Sequence, residues 1–134
     1  MRVINLMISI GAIGGFSAVA LGAYGAHGLS GMPAPLQQAY QSAVQYQFYH
    51  SLALVLVALL MHWRGSRLLV VAGLGFAVGL FLFCGSIYLR LLLGLDIPRL
   101  LTPAGGIAFM LGWAGLLGAA WRHRESKEGE CRFS

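Results

Sequence analysis

A chain of 134 residues has room for one small domain, and its make-up of 58% hydrophobic against 10% charged residues, with a mean hydropathy of +0.76, leaves too little polar surface for a water-soluble one. The net charge of +5 and pI near 9.8 do not point to nucleic acid, because the Lys and Arg residues are scattered at segment ends and form no basic face interleaved with aromatics. Two cysteines, Cys84 and Cys131, are too few and too far apart for a disulfide framework or a zinc motif, and both are expected as free thiols.

The composition predicts an all-α membrane protein. A spanning helix needs about 20 mostly apolar residues to cross about 30 Å of hydrocarbon at 1.5 Å per residue. Residues 3–24 form the first such segment. It is longer than the usual signal-peptide core of about 7–15 residues, so it is expected to be retained as a span. Residues 43–61, 68–93 and 103–121 are the other three, giving a four-transmembrane-helix bundle over residues 1–121 and a charged tail, expected to be loosely ordered, over 122–134. The runs are continuously apolar and do not alternate, which favours helices over barrel strands.

Taken in chain order, the connections carry their own chemistry. Residues 28–42 have no charged residue and contain Pro33 and Pro35. Leu36, Ala39, Tyr40, Ala43 and Val44 then fall at helical spacing, opposite Gln37, Gln38, Gln41 and Ser42. This predicts a short amphipathic interfacial helix between the first and second spans. Arg64-Gly65-Ser66-Arg67 is a tight charged turn that makes the second and third helices antiparallel neighbours. Gly94-Leu95-Asp96-Ile97-Pro98-Arg99 makes the next turn, and Thr102-Pro103 predicts a capped helix start.

Orientation follows from Lys and Arg. With the N-terminus cytoplasmic, Arg2, Arg64, Arg67, Arg122, Arg124, Lys127 and Arg132 lie inside, and Arg90 and Arg99 lie outside. Both ends are therefore expected in the cytoplasm of a bacterial inner (plasma) membrane.

Small residues define the expected packing faces. Gly11, Gly14, Gly15, Ala18, Gly22 and Gly25 project within about 60° of one line on the first helix. Ala72, Gly75, Gly79 and Ser86 do so on the third, and Ala108, Gly112, Gly115 and Ala119 on the fourth. Such faces let helices approach closely where lipid supplies no hydrophobic drive, with Gly11/Gly15 and Gly75/Gly79 at the spacing of close-packed pairs.

The polar residues inside the spans are the candidate site. Gln47, His50 and Ser51 share a face of the second helix, and His27, Ser86 and Thr102 are expected at the same outer level. An ionisable side chain in a span is a functional-site hypothesis. The plainer reading is a hydrogen-bonded network that fixes helix register. Metal binding is the sharper alternative, through His27 and His50, which are two ligands where zinc usually takes three or four. Their meeting requires Gly25-Ala26-His27-Gly28 to fold back into the bundle. Cys84 projects away from the small-residue face and is not an obvious third ligand. His62 and His123 are expected at the cytoplasmic boundary. Arg90, near the outer end of the third helix, is expected to snorkel and pair with Asp96. Tyr88, Trp113 and Trp121 read as packing or interfacial aromatics.

The segments Leu21-Gly22-Ala23-Tyr24-Gly25-Ala26-His27, Tyr46-Gln47-Phe48-Tyr49-His50, Gly85-Ser86-Ile87-Tyr88 and Thr102-Pro103-Ala104-Gly105-Gly106, with Phe109 and Gly112-Trp113, resemble the YgdD/YwdK-like family of small bacterial inner-membrane proteins. The resemblance extends in the same order to Trp121. It implies a four-helix inner-membrane protein and places His27, Gln47, His50, Ser86, Tyr88 and Thr102 at motif positions. It implies no reaction. Arg90 and Cys84 depart from the family pattern.

No carboxylate lies inside a span, and no nucleotide-binding glycine loop or nucleophile elbow is visible, so no enzyme is expected. No cofactor is identified. The expected partners are membrane lipids and other membrane-protein subunits or the chain itself, not nucleic acid. The functional expectation is an accessory or assembly subunit of a larger membrane complex. The alternative is a small-ligand or metal-ion binder or carrier using the outer cluster around His27 and His50.

Overall fold

The computed structural model describes the backbone of residues 1–131 and the side chains of residues 1–122. The expectations for His123, Arg124, Lys127, Arg132 and the Cys131 thiol lie outside the described residues. Within them are four helices long and apolar enough to cross a membrane: α1 (Arg2–Gly28), α2 (Ala34–Trp63), α3 (Arg67–Leu93) and α4 (Leu101–Cys131), the last apolar enough over Leu101–Arg122. The polar stretch after Arg122 continues the helix, where a loosely ordered tail was expected.

The helix boundaries follow from local chemistry. Pro33 precedes α2 and Pro35 lies in its first turn, where a missing N–H costs nothing. The turn before it is held by Gln37, whose Nε2 donates to the carbonyls of Leu29 (2.7 Å) and Met32 (3.0 Å). Ser66 caps α3, its hydroxyl accepting from the Leu68 N–H at 3.3 Å. Gly94 ends α3 at φ 63°, a left-handed conformation that an L side chain resists.

Three expectations are corrected here. The separate interfacial helix is absent among the described residues, because residues 34–43 form the opening turns of α2 without a break. Their apolar face packs on protein instead of lying on lipid: Tyr40 is 1% exposed and donates its hydroxyl to the Leu21 carbonyl of α1 at 2.7 Å. Thr102 does not cap α4, since the helix has already begun at Leu101 and its hydroxyl is engaged with Ser86. The third helix is not uniform, because a π-helical turn at Leu80–Gly85 joins the α-helical segments Arg67–Gly79 and Ser86–Leu93. Such a turn inserts about one extra residue, so projections at 100° per residue fail across it. Cys84 is therefore buried, 2% exposed, with its thiol donating to the Ala43 carbonyl at 3.4 Å.

α1 packs on α2, α2 on α3, and α3 on α4. The core gathers around Leu54, Val57, Ala72, Phe76 and Cys84, with Met7 and Phe109 added from the outer helices. Small residues set the helix spacing. A Cβ on Gly75 would stand 2.7 Å from the Gly112 nitrogen and 2.8 Å from the Ala108 carbonyl oxygen, so α3 and α4 touch backbone to backbone. A Cβ on Gly112 would meet the Phe76 ring at 2.6 Å, and one on Gly79 would run into the Phe109 ring. On α1, Gly11 faces Val55 and Ser51, Gly22 faces Val44 at 3.3 Å, and Ala18 is 2% exposed. Gly15 is different, with nothing within 4 Å of an added Cβ. The α1–α2 seam passes through Gly14, which meets Ser51, and the turn of 100° per residue carries Gly15 out of it.

Candidate functional site

The polar residues expected to form one cluster are distributed over separate pairs. His50 lies on α2, 5% exposed, with its ring stacked on Phe109 of α4 at 3.6 Å and an interplanar angle of 13°. Its Nδ1 is 2.7 Å from the Tyr46 carbonyl, and its Nε2 is 3.2 Å from Nε1 of Trp113. A carbonyl only accepts and an indole N–H only donates, so the tautomer with the proton on Nδ1 satisfies both neighbours. Neither ring nitrogen is left with a free direction.

One turn earlier on α2, Gln47 bridges to α1. Its Nε2 donates to the Gly14 carbonyl at 2.9 Å and to the Ser17 hydroxyl at 2.7 Å. Ser86 and Thr102 share a hydrogen bond of 2.7 Å between α3 and α4, and the Ser86 hydroxyl also lies 3.0 Å from the Phe83 carbonyl of the π turn. α4 reaches that turn closely because Gly105 has no side chain to collide with the Phe83 backbone. Tyr88 packs edge-on to Tyr40, ring centroids 5.5 Å apart, with its hydroxyl buried and without a partner. Arg90 donates from Nη2 to the Ile97 carbonyl at 2.8 Å, not to Asp96 as expected, because the turn after Gly94 brings that carbonyl within reach.

His27 is not brought to this region. It stays in the last turn of α1, exposed, because the helix runs unbroken to Gly28 and the fold-back of residues 25–28 does not occur. The pocket of two imidazoles and Gln47 is therefore not formed, and among the described residues no group of three or more His, Cys, Asp or Glu side chains could hold a metal ion. Sequence reasoning missed Ser17 and Tyr40 as partners, and it read Trp113 as a packing or interfacial aromatic without its bond to His50. Ser17 lies one turn from Gly14 on the α1 seam, a signal that marks a short polar residue able to meet a long one on the facing helix.

An apolar bundle with isolated interhelical hydrogen bonds defines a class, the multi-pass α-helical membrane proteins, and not a reaction. The match to the family model described as "Protein of unknown function (DUF423)" over residues 21–106, together with its relatives, places the chain in that family. It is 38% identical over 121 residues to the UPF0382 membrane protein YwdK of Bacillus subtilis, covering 89% of this chain and 98% of that one. It is 38% identical over 119 residues to the UPF0382 inner membrane protein YgdD of Escherichia coli, covering 88% and 91%. A staphylococcal relative, the UPF0382 membrane protein SAB0533 of Staphylococcus aureus, is 34% identical over 119 residues, covering 88% and 97%. No solved structure matches the chain.

Proposed function

We propose that this membrane protein is a non-enzymatic bundle of the bacterial inner membrane, with both termini cytoplasmic, acting as an accessory or assembly subunit of a larger membrane complex. The observation that carries this reading is the set of bonds that ties the helices to one another: His50 is engaged at both nitrogens, Gln47 ties α2 to α1, and Ser86 is paired with Thr102. These bonds fix helix register, and they join no nucleophile–base pair in reach of a substrate among the described residues. The inner-membrane placement is supported by the name of the Escherichia coli relative and by the bias of Lys and Arg. Gly15, unspent within the chain, leaves a flat place on α1 for a neighbouring helix. The metal-ion alternative around His27 and His50 draws no support from this geometry.

Affinity purification from native membranes in a mild detergent, with mass spectrometry of co-purifying subunits, tests the proposal. The expected result is a recurrent membrane-protein partner in fixed proportion. A chain recovered alone and monomeric, also after cross-linking in intact membranes, overturns it.

A further inference from the structure

A groove of about 440 Å³ opens at the end of the bundle where α2 stops, α3 starts and the apolar part of α4 stops. Its polarity is ordered along its depth. Leu60, Leu69 and Leu116 line the inner part, and one to two turns nearer the helix ends the lining becomes polar at Arg64, Ser66 and Arg122. From Leu116 to Arg122 the α4 wall covers about 9 Å at 1.5 Å per residue. Trp63 and Trp121, which directly precede the two arginines, are 81% and 68% exposed. Tryptophan gathers at the membrane–water boundary, so the mouth of the groove lies at headgroup level. The mouth is also of one sign. Arg64 and Arg122 are exposed, and Arg2 and Arg67 stand at the same end, whereas the one carboxylate among the described side chains is Asp96, beyond the far end of α3. The Ser66 hydroxyl accepts from the Leu68 N–H and keeps its own proton to donate.

We infer that this groove seats an anionic phospholipid of the phosphatidylglycerol class. The phosphodiester lies at the mouth between Arg64 and Arg122, with the Ser66 hydroxyl donating to it, and the upper part of an acyl chain lies against Leu60, Leu69 and Leu116. The planar guanidinium matches phosphate oxygens with paired N–H donors. A zwitterionic head would bring an ammonium group among arginines, with no carboxylate among the described residues to meet it, so the charge of the mouth selects an anionic head. A soluble anion could use the arginines but not the leucine walls.

In the test, the full chain in mild detergent is titrated with phosphatidylglycerol, with phosphatidylcholine of the same acyl chains, and with glycerophosphoglycerol, the head without chains. Bound molecules are counted by native mass spectrometry. One phosphatidylglycerol per chain is expected, held at least about tenfold more tightly than either comparison. Replacing both groove arginines, Arg64→Gln with Arg122→Gln, should weaken it about thirtyfold, the ordinary worth of two arginines at an anionic surface. Arg2→Gln with Arg67→Gln removes the same charge from the same end but not from the groove, and should change the affinity by less than about threefold. Gly65→Glu sets a carboxylate at the mouth, where an added Cβ meets nothing within 4 Å, and should lower phosphatidylglycerol binding to the phosphatidylcholine level. It also serves as the test should the double variant fail to fold. Equal binding of the two lipids, equal loss in the two arginine pairs, glycerophosphoglycerol bound as tightly as the lipid, or unchanged binding in a folded Gly65→Glu variant overturns the inference.

Discussion

The imidazole of His50 is fixed by two neighbours of opposite character, a carbonyl that must receive a proton and an indole that must give one. Trp113→Phe keeps the aromatic contact with Phe76 but leaves Nε2 without its donor. Interhelical hydrogen bonds in membranes are worth about 0.6 kcal/mol on average and up to about 1.7. The variant should therefore lose about 1 kcal/mol in a reversible unfolding titration in mixed micelles, and a midpoint equal to wild type would mean that the Trp113–His50 bond does not contribute. Gln47 and His50 could be marked as interior from the sequence because they lie three residues apart on a helix with no other reason to carry them. Their partners could not, since Ser17 and Trp113 are set by the rotation of neighbouring helices about their axes. His27 stood at a helix end, where a loop fold-back and one more helical turn look alike in sequence. The helix hydrogen bonds of residues 25–28 decided the matter.

At the scale of the helices, glycine positions separate into those that hold a backbone contact and those that do not. Gly75→Leu pushes a side chain into the α4 backbone at Gly112 and Ala108, where no rotamer change gives relief. Its cost should reach about 1–3 kcal/mol or more, read as a lowered melting temperature in detergent. Gly15→Leu should melt within a degree or two of wild type, because its Cβ enters open space; a large loss there would place another helix against Gly15. Gly94→Ala tests a backbone effect, since left-handed φ costs an L residue about 1–2 kcal/mol. Unchanged stability in that variant would show that α3 ends differently. The small faces of α3 and α4 were visible as a period, and so was the length of every span. The π turn was not, because nothing in Leu80–Gly85 distinguishes an i→i+5 turn from ordinary helix until Gly105 of α4 is seen against it. The opening turns of α2 were read as amphipathic and assigned to the interface. An apolar stripe covered by α1 has the same pattern as one covered by lipid.

For the whole molecule, composition was enough to give an all-helical membrane protein with four spans, because a bilayer admits few alternatives to helices for continuously apolar runs. What the molecule does was not legible in the same way, since Gln47, His50, Ser86 and Thr102 bond to neighbouring helices and, among the described residues, bring no reactive groups together. In the proposed topology four helices cross the membrane with both ends inside, which would put the 28–33 and 94–100 connections outside and the 64–66 turn inside. Impermeant thiol labelling of intact cells tests this most directly, with single cysteines introduced as Gly31→Cys, Gly65→Cys and Asp96→Cys into a Cys131→Ser background, Cys84 being buried. Labelling of the Gly31 and Asp96 variants, with the Gly65 variant labelled only after the membrane is permeabilised, is the predicted result. External labelling of the Gly65 variant, or protection of the Gly31 variant, would contradict the account.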